Sequence, residues 1–318
     1  MRDDLAGHST DMISLENVQT YIDFLVRSNY PALRLLGGEP TIHPQFTDIV
    51  DMGLQAGRNI VVFTNALWSN RVLEYLAQDR TRANVKFVVN IHEKKNRHGN
   101  ETDRVEKSLA VGGGRTMLGF NIYQRFFNLR FVIDLINRFK LQRKVRLGLS
   151  NPIAGKSNAF LQGKELYAIG ERLLDQLEIL EQNDILAEFD CGWQLCMFQE
   201  KRYGTLFKAT NNFNASCISI IDVGPDLTAW PCFPLSGLLN VKLTDFQNRE
   251  ELIRYYDSTL PFLRRLGSTD NCTDCKYGRR DQCSGGCMAR SIRDFMEADN
   301  DFAAKLERNV ERASGRSA

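Results

Sequence analysis

The first 190 of 318 residues contain no cysteine, and all eight cysteines fall between Cys191 and Cys287. This absence rules out disulfide stapling of the N-terminal part and separates two regions with different jobs. An excess of one charge is also missing. Against 41 Lys and Arg stand 39 Asp and Glu, so the net charge of +2 gives no electrostatic case for nucleic acid or a membrane surface. The short basic pieces Lys94-Lys95-Asn96-Arg97 and Arg279-Arg280 read as solvated loops. No apolar run approaches the roughly 18 residues that span a bilayer. The start, Met1-Arg2-Asp3-Asp4, opens no apolar signal-peptide core. The expected compartment is therefore the cytoplasm, where thiols stay reduced. Internal repeats and low-complexity segments are absent. With 43% hydrophobic and 25% charged residues, the chain has the composition of an ordinary globular protein able to bury a full core.

The first half alternates helical and strand patterns. Ser14 is placed to cap a helix over Leu15–Arg27, in which Val18, Tyr21, Ile22 and Leu25 recur at helical spacing. Strands follow at Ala32–Leu36, Asn59–Phe63, Val85–Ile91, Met117–Tyr123 and Val145–Leu149. Helices are expected near Gln45–Gln55 (stopped by Gly57), Arg71–Ala77, Glu101–Ala110 and Arg125–Phe139. Five largely apolar strands alternating with helices imply a parallel sheet covered by helices. Polar residues gather where the strands end: Glu39, Thr64-Asn65, Asn90, Asn121 and Ser150-Asn151. Ligands of α/β sheets bind at those carboxyl ends. A long helix over Lys164–Gln182 then leads to the cysteines. A charged helix closes the chain up to about Arg312, with a disordered tail expected over Ser314–Ala318.

Leu33-Arg-Leu-Leu-Gly-Gly-Glu-Pro40 is the most informative stretch. Gly37 and Gly38 carry no Cβ, so a ligand can approach their main chain closely. Glu39 places a carboxylate beside them. Together these groups suit a bound ammonium, although an ordinary Gly-Gly turn between strand and helix is the plainer alternative.

Cys217 and Cys232 flank Gly224-Pro225-Asp226, and Ile218–Ile221 with Leu227–Trp230 read as a β-hairpin around that turn. Further on, Cys272-x2-Cys275 and Cys283-x3-Cys287 are separated by seven residues. Cys-x2-Cys brings two sulfurs within reach of one metal or cluster, and Gly285 and Gly286 let the backbone wrap it. Length and compartment disfavour disulfides. Spacing alone leaves zinc and iron–sulfur ligation both open. Cys191 and Cys196 are either further ligands or buried thiols.

Gly37-Gly38-Glu39-Pro40 with Thr41-Ile42-His43-Pro44 resembles the glycine-rich motif of radical S-adenosylmethionine enzymes, and Thr64-Asn65-Ala66 resembles the segment after their third strand. The pattern from Cys217 to Cys287 resembles the SPASM extension, which carries auxiliary [4Fe-4S] clusters in peptide-modifying members. The resemblance covers about residues 10–290. It implies an α/β fold: a partial (β/α)6 TIM-type barrel over residues 1–155, a linking helix over 156–190, a small cysteine-rich SPASM-like α+β domain over 191–290, and a C-terminal helix and tail over 291–318. It further implies that Gly37, Gly38 and Glu39 grip the methionine amino group, with Asn65, Asn90, Ser150 and Asn151 as ribose or carboxylate contacts. Cys217, Cys232, Cys272, Cys275, Cys283 and Cys287 become the cluster ligands.

Two departures from that family stand out. Its Cys-x3-Cys-x2-Cys, which holds the catalytic cluster after the first strand, has no counterpart here, and neither does that first strand. The expected sheet therefore begins with an unpaired edge at Leu33–Leu36. No cysteine follows Cys287, whereas two-cluster SPASM domains place one there. On the family's interleaved pattern, Cys217, Cys232 and Cys287 share one cluster with Cys191 or Cys196, and Cys272, Cys275 and Cys283 hold a second that lacks one protein ligand. The implied function is an oxidoreductase or peptide maturase that binds S-adenosylmethionine, incomplete as given, with a peptide or protein substrate and a flavodoxin or ferredoxin as electron donor. The alternatives are a non-catalytic electron-relay or peptide-binding descendant of that family, and a zinc-bearing α/β binding protein.

Overall fold

The computed structural model describes residues 12–92, 100–265, 272, 274–299 and 301–314. The basic Lys94–Arg97 piece, the first eleven residues and the last four lie outside the described residues.

Six strands form one sheet, each parallel to its neighbour and in chain order: β1 (Ala32–Leu35), β2 (Asn59–Thr64), β3 (Val85–Asn90), β4 (Thr116–Ile122), β5 (Lys144–Leu149) and β6 (Leu186–Phe189). Helices fill the crossovers: α1 (Leu15–Arg27) before β1, α2 (Phe46–Gln55), α3 (Asn70–Leu76) with the short α4 (Asp79–Arg82), α5 (Glu101–Gly112), α6 (Arg130–Phe139) and α7 (Leu166–Glu181). The sixth strand, Leu186–Phe189, corrects the expectation that this stretch only links. It pairs with β5 from Lys144↔Leu186 to Leu147↔Phe189. The helix before β4 and that after it also differ from the sequence pattern. Helix α6 starts at Arg130, because Asn128 Oδ1 accepts the Arg130 amide at 2.9 Å and Gln176 Oε1 accepts that of Leu129 at 2.8 Å.

Strand side chains alternate between two faces. One set, including Ile60, Val62, Phe87, Val89, Leu118, Phe120, Val145 and Leu147, packs against the helices in a single core. The other set is mixed: Val61, Phe63, Val88 and Met117 share it with Arg34, Lys86, Asn90, Gly119, Asn121, Arg146 and Gly148, of which Arg34, Lys86 and Asn121 are exposed. A closed barrel would fill that face with layered apolar side chains. Here it is a cradle in which charged and apolar side chains mix.

The cysteine-bearing part has a second core, built on Leu235, Leu243, Leu252, Tyr256, Leu263 and Ile292. It contains α8 (Tyr203–Lys208), the antiparallel strands β7 (Asp222–Val223), β8 (Thr228–Trp230) and β9 (Val241–Lys242), and helices α9 (Arg249–Thr259), α10 (Pro261–Arg265), α11 (Ala289–Ala298) and α12 (Phe302–Ser314). The expected hairpin is present, but its first strand is only Asp222–Val223. Pro231 has no amide to extend the ladder, and its carbonyl takes both the Ile220 and Ile221 amides at 3.0 Å. The single C-terminal helix is in fact two, broken where Asp299 turns extended and accepts Lys305 Nζ at 2.6 Å.

Helix α1 joins the two cores. Val18, Ile22 and Leu25 face the first core, while Phe24, one turn round, is buried in the second at 3% exposure. Asn17 donates to the Pro225 carbonyl at 2.8 Å and Arg27 to the Gln247 carbonyl at 3.2 Å. The chain running into β1 is thereby fastened to the cysteine-bearing part. Among the described residues β1 pairs on one side only.

Candidate functional site

Strand β1 ends at Leu35, and Gly37 follows with φ +104°. A side chain there would strain the backbone. A Cβ built on Gly37 or Gly38 has nothing within 4 Å, so both glycines face open space. Glu39 caps the next turn. Its Oε1 accepts from the Thr41 hydroxyl (2.6 Å), the Thr41 amide (3.2 Å) and the Thr64 hydroxyl (2.8 Å), and its Oε2 accepts from the Asn65 amide (2.7 Å). A carboxylate offers about four lone-pair sites. Oε1 is crowded, while Oε2 serves one of these four donors. Thr64 in turn accepts Trp68 Nε1 at 3.0 Å, which locks the β2 end against the core. Asn65 is exposed, with its Oδ1 turned back to the Leu67 amide at 2.8 Å.

Asn90 closes β3. Its Oδ1 is buried and has no hydrogen-bond partner. It lies against Gly119, where a Cβ would come within 2.8 Å of it. A buried acceptor without a donor among the described residues is costly. Ser150 and Asn151 are engaged elsewhere. Ser150 Oγ donates to the Ala159 carbonyl at 2.8 Å. Asn151 donates from Nδ2 to the Leu149 carbonyl at 3.2 Å and accepts Arg290 at 3.1 Å. Both side chains hold the 150–161 loop and its junction with α11.

The cradle also carries charges that sequence reading passed over. Arg146 forms an ion pair with Asp190, directly after β6, and its guanidinium lies 5.4 Å above the Phe63 ring. Asp222, on β7, is within electrostatic reach of both Asp190 and Arg34. Burial is the main cause that lifts its carboxyl to about 6, with Asp190 adding to the shift and the Phe233 amide and Arg34 opposing it. The cysteine-bearing part thus places an acid between residues of the two outermost strands of the sheet. Proximity in sequence gives no hint of this: the three residues are 34, 190 and 222.

The eight cysteines are outside disulfides and fall into two sets by their electrostatic neighbours. Cys191, at the carboxyl end of β6, has Cys287 and Cys217 as electrostatic neighbours, and Cys232 has Cys287, Cys217 and Cys191. Burial first pushes both thiols upward, followed for Cys191 by Asp190 and then its cysteine neighbours and for Cys232 by its cysteine neighbours; burial and Cys217 lift the Cys287 thiol to about 12. This set lies at the N-terminus of α11, where the Met288 amide serves Cys217 and the Ala289 amide serves Cys287. Unpaired helix amides favour thiolate. Cys196 belongs to the other set. Desolvation by the surrounding protein and then Cys283, Cys272 and Cys275 lift its thiol to about 11. Among the described residues no three His, Cys, Asp or Glu side chains close tightly enough for a single metal ion.

The donor chemistry of both sets, thiols with backbone amides beside them, fits iron–sulfur ligation. The strand ends fit an amino-acid-like ligand through Gly37, Gly38, Glu39 and the orphaned Asn90 Oδ1. They do not fit a third cluster, because no cysteine precedes Cys191.

No family model and no curated protein matches the chain. Solved structures do. Streptococcus suis SuiB bound to S-adenosylmethionine superposes with a TM-score of 0.58 at 14% identity, over 87% of this chain and 67% of SuiB. Native anSMEcpe with bound AdoMet gives 0.57 at 13% identity, over 95% of this chain and 90% of that one. SuiB bound to precursor peptide SuiA gives 0.56 at 17%, over 87% and 66%. At such identities the likeness is one of fold, and at that level it bears out the radical S-adenosylmethionine resemblance drawn from the sequence. No helix among the described residues is long and apolar enough to cross a membrane.

Proposed function

We propose that this chain binds S-adenosylmethionine at the carboxyl ends of β1–β3, carries auxiliary [4Fe-4S] clusters in a SPASM-like domain over 191–290, and is of the radical S-adenosylmethionine oxidoreductase or maturase kind that acts on a peptide or protein side chain, without the cysteines that would hold that family's catalytic cluster. The observation that carries this reading is the Glu39 network. It ties the residue after two unobstructed glycines to the end of β2, in a fold shared with structures solved with that same ligand. Gly37 and Gly38 would offer main-chain groups to the methionine ammonium, Glu39 Oε2 would offset its charge, and Asn65 and Asn90 would meet the carboxylate or ribose. Cys191, Cys217, Cys232 and Cys287 would hold one cluster, and Cys272, Cys275 and Cys283 would contribute to a second. When bound, such clusters supply one-electron chemistry, with a flavodoxin or ferredoxin as the donor. The cradle with Arg34, Arg146, Asp190 and Asp222 around it would receive the substrate, and a precursor peptide bound to the similar SuiB favours a peptide there. Reduced thiols of this kind belong in the cytoplasm.

The test is equilibrium binding of S-adenosylmethionine to protein purified and reconstituted without oxygen. Gly38→Val fills open space and so acts on the ligand rather than on the fold. Binding by the wild type that Gly38→Val abolishes is the expected result; a wild type that binds none overturns it. A second reading has its own observation, the lack of any cysteine before Cys191: a non-catalytic relay or peptide binder. Formation of 5′-deoxyadenosine under strong reductant separates the two, since only the enzyme yields it.

A further inference from the structure

We infer that Cys196 is the fourth thiolate of the second cluster, so that this cluster takes its last ligand from upstream, on the barrel side, rather than from a cysteine after Cys287. The inference rests on the iron–sulfur reading of the proposed function and concerns which residue completes the site.

Three thiols, Cys272, Cys275 and Cys283, belong to one loop, and all three are electrostatic neighbours of Cys196. The arrangement does not depend on that proximity alone. The segment bearing Cys196 is stitched to the loop along its length. Gln194 Nε2 donates to the Gly285 carbonyl at 2.9 Å. Gly286, at φ +92°, lets Gln194 in: a Cβ there would stand 2.5 Å from Gln194 Nε2. Lys276 Nζ pairs with Glu200 at 2.5 Å, and the Tyr203 and Tyr277 rings lie 6.3 Å apart. On the loop itself the Gly285 amide points to Cys283 Sγ at 3.4 Å, and Gly278 sits under the Cys275 and Cys272 carbonyls. Cys196 lies on one turn (Leu195–Met197) held against α7, where Gly170 accepts the close approach of the Met197 carbonyl. The fourth thiol is thus carried by a rigid element and the other three by a loop that closes on it. Cys191, five residues earlier, goes to the other set. The two upstream cysteines therefore divide between the clusters instead of competing for one.

With four protein thiolates, no iron of the second cluster keeps an open position for a substrate atom.

Iron and sulfide analysis with Mössbauer and electron paramagnetic resonance spectra of the full chain, reconstituted anaerobically, tests this. Wild type, Cys196→Ser, Cys191→Ser and Cys272→Ser are compared. Cys196 keeps an exposed edge, so its serine variant removes little packing, and circular dichroism of the cluster-free proteins checks that. The expected wild type holds about eight irons per chain. Cys196→Ser and Cys272→Ser should alter the same cluster signal, and Cys191→Ser the other. In Cys196→Ser the altered signal should shift further on adding imidazole, because an iron has lost its thiolate. A wild type with both clusters whose signals are unchanged in Cys196→Ser overturns this inference alone. A wild type that takes up zinc and no iron overturns the cluster reading and this inference with it. Cys196→Ser and Cys191→Ser disturbing one and the same signal also overturns it.

Discussion

The Thr64 hydroxyl donates to Glu39 Oε1 at 2.8 Å, so the end of β2 is held by the residue directly after the glycines of β1. The carboxylate is therefore a positioning group, besides the ligand contact proposed for it, collecting four donors from two strand ends. Glu39→Gln keeps the shape but turns an amide N–H toward one of those donors. Hydrogen bonds to a charged group contribute about 1.5–3 kcal/mol each. The expected outcome is a loss of roughly that size in chemical denaturation, together with at least tenfold weaker S-adenosylmethionine binding by calorimetry. Full binding by a destabilised variant would leave Glu39 with a structural role only.

Asp222 gives the fold a pH dependence of known sign. Unfolded, its carboxyl titrates near 3.8; in the fold, burial raises it to about 6. The folded state then binds more protons between those values, so stability falls as pH rises through the window and levels off above it. That difference corresponds to about 3 kcal/mol at most. Asp222→Asn should raise the melting temperature at pH 7.5 and leave it unchanged near pH 3.5. An equal change at both pH values would show that the carboxyl is not the cause.

Phe24 tests how the two cores depend on each other. It lies on α1, yet its ring is buried at 3% exposure in the core of the cysteine-bearing part. Phe24→Ala removes that ring and leaves the Val18, Ile22 and Leu25 face intact. A cost of about 3–5 kcal/mol is expected. Proteolysis should then release a fragment beginning after β6 more readily than in the wild type, which mass spectrometry of a limited digest would register.

Much of the architecture is legible in the residues. Strands β1–β5 are largely apolar runs that stop near glycine or a polar side chain, and such runs in alternation with amphipathic helices admit few folds. Strand β6 is hidden because Leu186-Ala-Glu-Phe189 is four residues long, with a charge inside it, directly after a sixteen-residue helix. The shortened hairpin and the split C-terminal helix turn on single groups, the missing Pro231 amide and the Asp299 carboxylate, which periodicity does not register. Gly37, Gly38 and Glu39 stand out locally because a turn that exposes its backbone needs those residue types. The division of the cysteines does not stand out, since Cys191 and Cys196 are five residues apart and go to different partners. Ser150 and Asn151 look like ligand contacts from their place at a strand end. Their hydrogen bonds to Ala159, Leu149 and Arg290 appear only once the 150–161 loop and α11 are folded against them.

Gly170 connects α7, packed on the six-stranded sheet, to the turn that bears Cys196, and it carries a sharp prediction. It lies within α7, where alanine would ordinarily favour the helix by about 1 kcal/mol. A Cβ at this position would overlap the Met197 carbonyl oxygen and stand 2.6 Å from its carbon, both backbone atoms that cannot rotate aside. The turn over Leu195–Met197 must therefore move, and Cys196 moves with it. The first cysteine set is scaffolded differently, by β6 and the start of α11. Gly170→Ala should accordingly lower thermal stability despite its better helix propensity. In reconstituted protein it should weaken the cluster signal that Cys196→Ser alters and spare the one that Cys191→Ser alters. Equal loss of both signals would mean that the substitution acts through general unfolding, and no loss of either would mean that the turn repacks without moving Cys196.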